Sequence, residues 1–209
     1  MELTRRSVLT NGAVLGLGTL AGCTGGGGSG GASGDTVESL PTPVLGEEDA
    51  PVTVKAFEDF ACPHCKTFAL EHLPRIRSEY VETGTVRYEH HDFPLPVDPK
   101  WSWKIPSAAR AVQDTVGVSA FFEFAEIMYG NMNAYSLELV GNAAEQVGAD
   151  PETVRNAAQT ERYRPVVRAD LQAGKQLGVT GTPTVFVNET KAEDYTFGTV
   201  SDLIERARS

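Results

Sequence analysis

Apolar and polar residues change their spacing several times along this chain, and each change predicts an element. In "APVTVKAFEDF" a run of β-branched and aromatic residues predicts a strand over about 52–58. In "KTFALEHLPRIRSEYVET" apolar residues recur at 68, 69, 73, 76 and 80, close to the spacing of one helix face. Pro74 should kink that helix, and Gly84 should end it. "TVRYEHHDFPL" predicts a second strand. A proline-rich connection follows over 94–106, with Trp101 and Trp103 inside it.

From about 107 to 177 the pattern is helical throughout. "SAARAVQDTV", "SAFFEFAEIMYGNM", "SLELVGNAAEQVG", "DPETVRNAAQ" and "ERYRPVVRADLQAGKQLG" each predict one helix, with inner faces that form core. Asp150 is placed to cap the fourth, with Pro151 at its first position. Strand character returns over 182–188 in "TPTVFVN", "ETKAED" turns the chain, "YTFG" predicts a short partner strand, and "TVSDLIERARS" a terminal helix. The order predicts an α/β domain over 44–209. A βαβ unit joins a ββα unit in one sheet, and an all-helical insertion occupies about 100–177.

The chain's 209 residues suit one domain carrying such an insertion. Its formal charge of −10 leaves nothing to neutralise phosphates, which argues against a nucleic-acid partner. Of 18 basic residues six are lysines, so the surface is acidic and lysine-poor. Such a surface suits a salt-rich medium and equally fits an ordinary, mildly acidic protein.

The first residues, "MELTRRSVLTNGAVLGLGTLAGC", read as an export signal over 1–22: adjacent Arg5 and Arg6, a soft apolar run, then small residues. The run is too short and broken for a spanning helix. The arginine pair resembles a twin-arginine signal. "LAGC" resembles a lipobox, which implies cleavage before Cys23 and lipidation of that residue; the alternative is ordinary cleavage nearby. "TGGGGSGGASG" follows, and the stretch 23–43 reads as an anchor and flexible linker. Its glycine-rich part reaches about 18 Å. The expected location is the extracytoplasmic face of a membrane, where disulfide chemistry is permitted.

"FEDFACPHCKTF" holds Cys62 and Cys65 three positions apart, just after the first strand. Zinc, a structural disulfide and redox catalysis are the candidate readings. Zinc needs two further ligands, and His72, His90 and His91 stand in no ligand spacing, so no metal site is expected. A static disulfide across so short a loop gains little entropy. A catalytic dithiol suits the setting. At a helix start, the Cys62 sulfur would meet unpaired N–H groups and the positive dipole end, both of which favour a thiolate. His64 would add to this, and Pro63 suits the first turn. A stabilised Cys62 thiolate leaves readily and makes the disulfide oxidising.

"FEDFACPHC", the helical insertion and "GVTGTPTVFVN" together resemble the thioredoxin-like DsbA family of thiol-disulfide oxidoreductases, over about residues 44–208. The resemblance implies a thioredoxin-like fold with Cys62 as the exposed nucleophile and Cys65 as the buried resolving cysteine. It implies that His64 stabilises the thiolate. Pro183 would be a cis-proline facing the disulfide, with Thr182 before it presenting backbone hydrogen bonds to a substrate chain. It implies no cofactor. Its partners would be thiols of exported proteins as substrates and a quinone-linked membrane partner for reoxidation. One departure stands out: the family often places a buried acid six residues before the nucleophile, and that position is Ala56. Glu58 and Asp59 lie nearer and are candidates to relay protons to Cys65, a solvated strand end being the other reading. His90, His91, Trp101 and Trp103 are expected as loop and packing residues rather than walls of a substrate groove.

A membrane-tethered dithiol oxidase is therefore the leading expectation. A reductase or isomerase on the same scaffold is the nearest alternative, and a tethered metal-binding protein a more distant one. No dimerisation segment stands beside the linker, so a monomer is expected.

Overall fold

The computed structural model describes residues 36–95 and 97–209. The expected export signal over 1–22 and Cys23 lie outside the described residues. Five strands form one sheet in the order β1-β3-β2-β4-β5: β1 (Val44–Leu45), β2 (Val52–Glu58), β3 (Val86–Asp92), β4 (Thr184–Val187) and β5 (Thr190–Lys191). β2 and β3 run parallel, joined by helix α1 over 63–81; the other pairings are antiparallel. Helices α2 (Trp101–Thr115), α3 (Val118–Gly130), α4 (Leu137–Gln146), α5 (Pro151–Thr160) and α6 (Arg164–Gln176) form the insertion, and α7 (Phe197–Ala207) closes the chain. This is the α/β, thioredoxin-like arrangement that the sequence predicts.

Strand alternation sorts the core. Val52, Val54 and Ala56 of β2 face α1 and α7 together with Tyr88, Val185, Val200 and Ile204. Phe57 faces the other way, into a small cluster with Phe93, Val179 and Phe186. There α6 comes very close. A Cβ on Gly174 would stand 2.7 Å from the Phe93 ring and 2.9 Å from that of Phe57. The insertion has its own core, which also takes in Phe60, Cys62 and Cys65. The dithiol thus sits where sheet and insertion meet.

Several boundaries differ from the sequence reading, each for a local reason. The first helix does not simply kink at Pro74. Residues Phe68–His72 and Arg77–Val81 are π-wound, with Leu73 N–H bonded to Phe68 O and Glu82 N–H to Arg77 O. A widened turn just before the proline relieves the clash of its ring with the preceding turn. The 94–106 stretch is only partly a connection. α2 begins at Trp101, because Asp98 Oδ1 accepts the N–H groups of Lys100 and Trp101, and Pro106 lies inside the helix. Trp101 and Trp103 are accordingly helical residues. α6 begins at Arg164, after Glu161 adopts a left-handed φ of 52°. The partner of β4 is Thr190–Lys191 rather than "YTFG". A two-residue turn with Asn188 at φ 52° makes a tight hairpin, and Thr196, with extended backbone angles, stands just before α7.

The N-terminal boundary also moves. Residues before 44 were expected as linker, yet Val37 N–H bonds to Arg162 O at 3.0 Å, and Pro41 O accepts from Gln113 Nε2 at 2.7 Å. This segment lies along the insertion before entering β1.

Candidate active site

β2 ends at Glu58, and a tight turn delivers the dithiol. Cys62 N–H bonds to Asp59 O at 3.0 Å, and Cys62 caps α1 with extended backbone angles, Pro63 taking the first helical position. Lys66 N–H then closes on Cys62 O at 3.1 Å. Both cysteines are free thiols. Thr182–Pro183 is a cis peptide, and the Cys62 thiol donates to Thr182 O at 3.3 Å. The chain thus brings Cys62, Cys65, Thr182 and Pro183 together, as the sequence implies.

The two sulfurs differ sharply. Cys62 is held down at about 5, first by a hydrogen bond from the Cys65 thiol. Burial opposes this; the Thr182 hydroxyl, otherwise without a partner, and the N–H groups of Cys65 and His64 reinforce it. Cys65 moves the opposite way. Burial pushes its thiol well above the ordinary range, and the neighbouring Cys62 and Glu58 add to this. Only the Asp59 N–H, 3.4 Å from Cys65 Sγ, works against it.

Two implied details need correction. Cys62 is not exposed in the ordinary sense: 5 % of the residue meets solvent, against 0 % for Cys65. The Thr182–Pro183 segment and the core of the insertion cover it. The His64 imidazole does not contact the sulfur either. Its Nδ1 pairs with Tyr195 Oη at 2.9 Å, and what His64 offers the thiolate is its backbone N–H.

Glu58 and Asp59 are buried, 2 % and 1 % exposed, so neither forms a solvated strand end. Glu58 lies two residues after Ala56 and therefore on the same face of β2. Its carboxylate accepts from Tyr88 Oη at 2.8 Å and Tyr129 Oη at 3.2 Å, and pairs with His90 Nδ1 at 3.2 Å. His90 Nε2 reaches Asp92 at 3.2 Å. Burial alone would lower the His90 pKa, but its bonds to Asp92 and Glu58 prevail and raise it to about 9. Asp92 is likewise opposed by burial, but Arg110 and His90 hold it at about 2. Arg110, itself fully buried, continues the chain of alternating charges to Asp170 on α6. Asp59 serves different donors: Ala61 N–H, Leu95 N–H and the Ser102 hydroxyl. Burial raises it to about 6 against those three bonds.

His90 is thus a packing residue, as expected, but a charged one. His91 points to the opposite face, stacked on Phe57 at 4.8 Å. Trp101 packs on Tyr135, whose hydroxyl bonds to Phe60 O; Trp103 lies under Arg164. Sequence reading missed Tyr129, Tyr195, Arg110 and Asp170. Arg110 alone carried a signal, a single charge inside the apolar pattern of "SAARAV". Among the described residues no group of three or more His, Cys, Asp or Glu side chains is placed to hold a metal ion. Among them, too, no helix is long and apolar enough to cross a membrane.

A thioredoxin-like sheet, a dithiol at a helix N-terminus and an adjoining cis-proline define a protein thiol-disulfide oxidoreductase. The chain belongs to the thioredoxin family: the family model described as Thioredoxin matches residues 38–206. It is 26% identical over 186 residues to Disulfide bond formation protein D of Bacillus subtilis, covering 82% of this chain and 81% of that one. The oxidised crystal structure of BdbD from Bacillus subtilis superimposes with a TM-score of 0.74 at 26% identity, covering 83% of this chain and 98% of that chain. Chlamydia trachomatis DsbA has the same fold, with a TM-score of 0.72 at 21% identity, covering 83% and 95%.

Proposed function

We propose that this protein is an exported, membrane-tethered dithiol oxidase that forms disulfides in exported proteins through Cys62 and Cys65. The observation that carries the reading is the asymmetry of the two thiols: one favours the thiolate at neutral pH, the other stays protonated. Stabilising the reduced pair makes its disulfide a stronger oxidant.

The cycle starts from the Cys62–Cys65 disulfide. A substrate thiolate attacks Cys62 Sγ; the S–S bond breaks, and Cys65 leaves and takes a proton. A second substrate thiolate attacks the substrate sulfur of the mixed disulfide and expels Cys62 as a thiolate. The substrate loses two electrons and forms its disulfide, and the protein gains them. Of the two protons released by the substrate thiols, one ends on Cys65 and one in solvent. Glu58, whose charge acts on Cys65, and Asp59, whose N–H meets Cys65 Sγ, would pass the Cys65 proton. Thr182 and Pro183 would present backbone to the substrate chain. Reoxidation calls for a membrane partner linked to a quinone oxidant.

Export and tethering rest on Arg5–Arg6 and on lipidation at Cys23, which partitioning into a detergent phase, lost in Cys23→Ala, would test. Equilibration with glutathione tests the direction of the chemistry. An oxidising potential is expected; one as reducing as thioredoxin's overturns the oxidase and leaves the reductase or isomerase. In Cys65→Ser, the Cys62 thiolate attacking the disulfide of an oxidised protein should expel one of its thiolates and stay joined to the other sulfur, since no Cys65 thiol is there to release it.

A further inference from the structure

Tyr195 enters the active site from the segment between β5 and α7. Its ring stands between two histidines of α1, with centroids 5.9 Å from His64 and 5.9 Å from His72. Its hydroxyl is 2.9 Å from His64 Nδ1. The ring is partly buried, packed against the core cluster that includes Phe197 and Val200. Tyr195 also lines a cleft of about 370 Å³ together with Thr182, Pro183, Lys191 and Asp194. One side chain therefore joins the cis-proline cleft to the residue between the two cysteines.

We propose that Tyr195 is a positioning residue for the dithiol, acting by fixing the His64 ring through Nδ1. A phenol hydroxyl can donate to Nδ1 or accept from it, so the contact suits either form of the ring. With Nδ1 engaged, the ring cannot turn freely, and Nε2 alone is left for another partner. The tether holds the first turn of α1, and with it the His64 backbone N–H that supports the Cys62 thiolate. Without the tether that turn is freer to move, and the N–H is aimed less well at the sulfur. His72, Lys191, Glu193 and Asp194 surround the same spot, and none of them holds Nδ1. The inference rests on Cys62 being the reactive sulfur, as proposed above.

The test is a double-mutant cycle in the full chain: wild type, Tyr195→Phe, His64→Ala and both together. Phenylalanine keeps the ring packing and removes only the hydroxyl. The readout is the pH profile of Cys62 alkylation in the reduced protein, followed peptide by peptide, with the glutathione equilibrium as a second measure. Tyr195→Phe should raise the Cys62 midpoint by roughly half a unit, the size of a part-exposed polar interaction, and make the pair less oxidising. In the His64→Ala background it should do nothing further. No shift, or the same shift with and without His64, overturns the proposal. A reducing potential with the coupling intact would instead remove the oxidase reading and leave the role of Tyr195 standing.

Discussion

Glu58 and His90 meet at 3.2 Å in a place where each is 2 % exposed. Charges out of water persist only when partnered, and here every partner is in place: Tyr88 and Tyr129 on Glu58, Asp92 beyond His90.

Removing one member should therefore cost more than the pair contributes. Glu58→Ala leaves the His90 charge and two tyrosine hydroxyls unsatisfied. Urea denaturation should show a loss of about 3–5 kcal/mol, typical for breaking a buried pair. The sign of the pH dependence follows from His90, whose pKa rises from 6.5 to about 9 on folding. Its stabilisation is complete below 6.5 and disappears as pH rises through 9. In the oxidised protein, where Cys62 does not titrate, stability should fall across that window, and Glu58→Ala should flatten the fall.

The largest influence holding Cys62 low is the Cys65 thiol. Cys65→Ala should therefore move the Cys62 midpoint up from about 5 toward its ordinary 9, measured by the absorbance of the thiolate or by alkylation rate. Cys65→Ser, which keeps a donor, should move it less.

The same depressed pKa sets how pH affects the reduced fold. A group lowered on folding stabilises above its unfolded value and loses that effect as pH falls through the folded one. For Cys62 the window runs from 9 down to about 5. The reduced protein should be the more stable form at neutral pH, and its margin over the oxidised form should shrink steadily toward pH 5. Paired denaturation curves of the two forms measure this directly.

Gly174 tests the seat of the insertion on the sheet. Gly174→Ala places a methyl group against two phenylalanine rings that cannot easily retreat. Overpacking of this kind costs about 1–3 kcal/mol. The alkylation profile of Cys62 should stay unchanged, since Phe57 and Phe93 lie on the far face of β2.

Much of this architecture was legible in the chain because it rests on short-range signals. Periodicity marked the strands and helices, Asp150 capped its helix as expected, and the cysteine pair fell at a helix start. Apart from one local case, the failures came where distant residues decide. Trp101 starts a helix because Asp98 accepts two backbone protons, a local bond hidden by nearby prolines. The buried state of Glu58 and Asp59 depends on Tyr129 and Ser102, which arrive from the insertion 71 and 43 residues later. His64 looked like a partner of the sulfur by sequence adjacency, yet Tyr195, 131 residues away, claims its ring.

The binding of residues 37–41 to the insertion sets where a mechanical load would enter the domain. A pull on the chain from its N-terminal side would first meet the bonds to Arg162 and Gln113, on the helical block. The sheet, and the catalytic turn at its edge, would feel that tug only after those fastenings gave way.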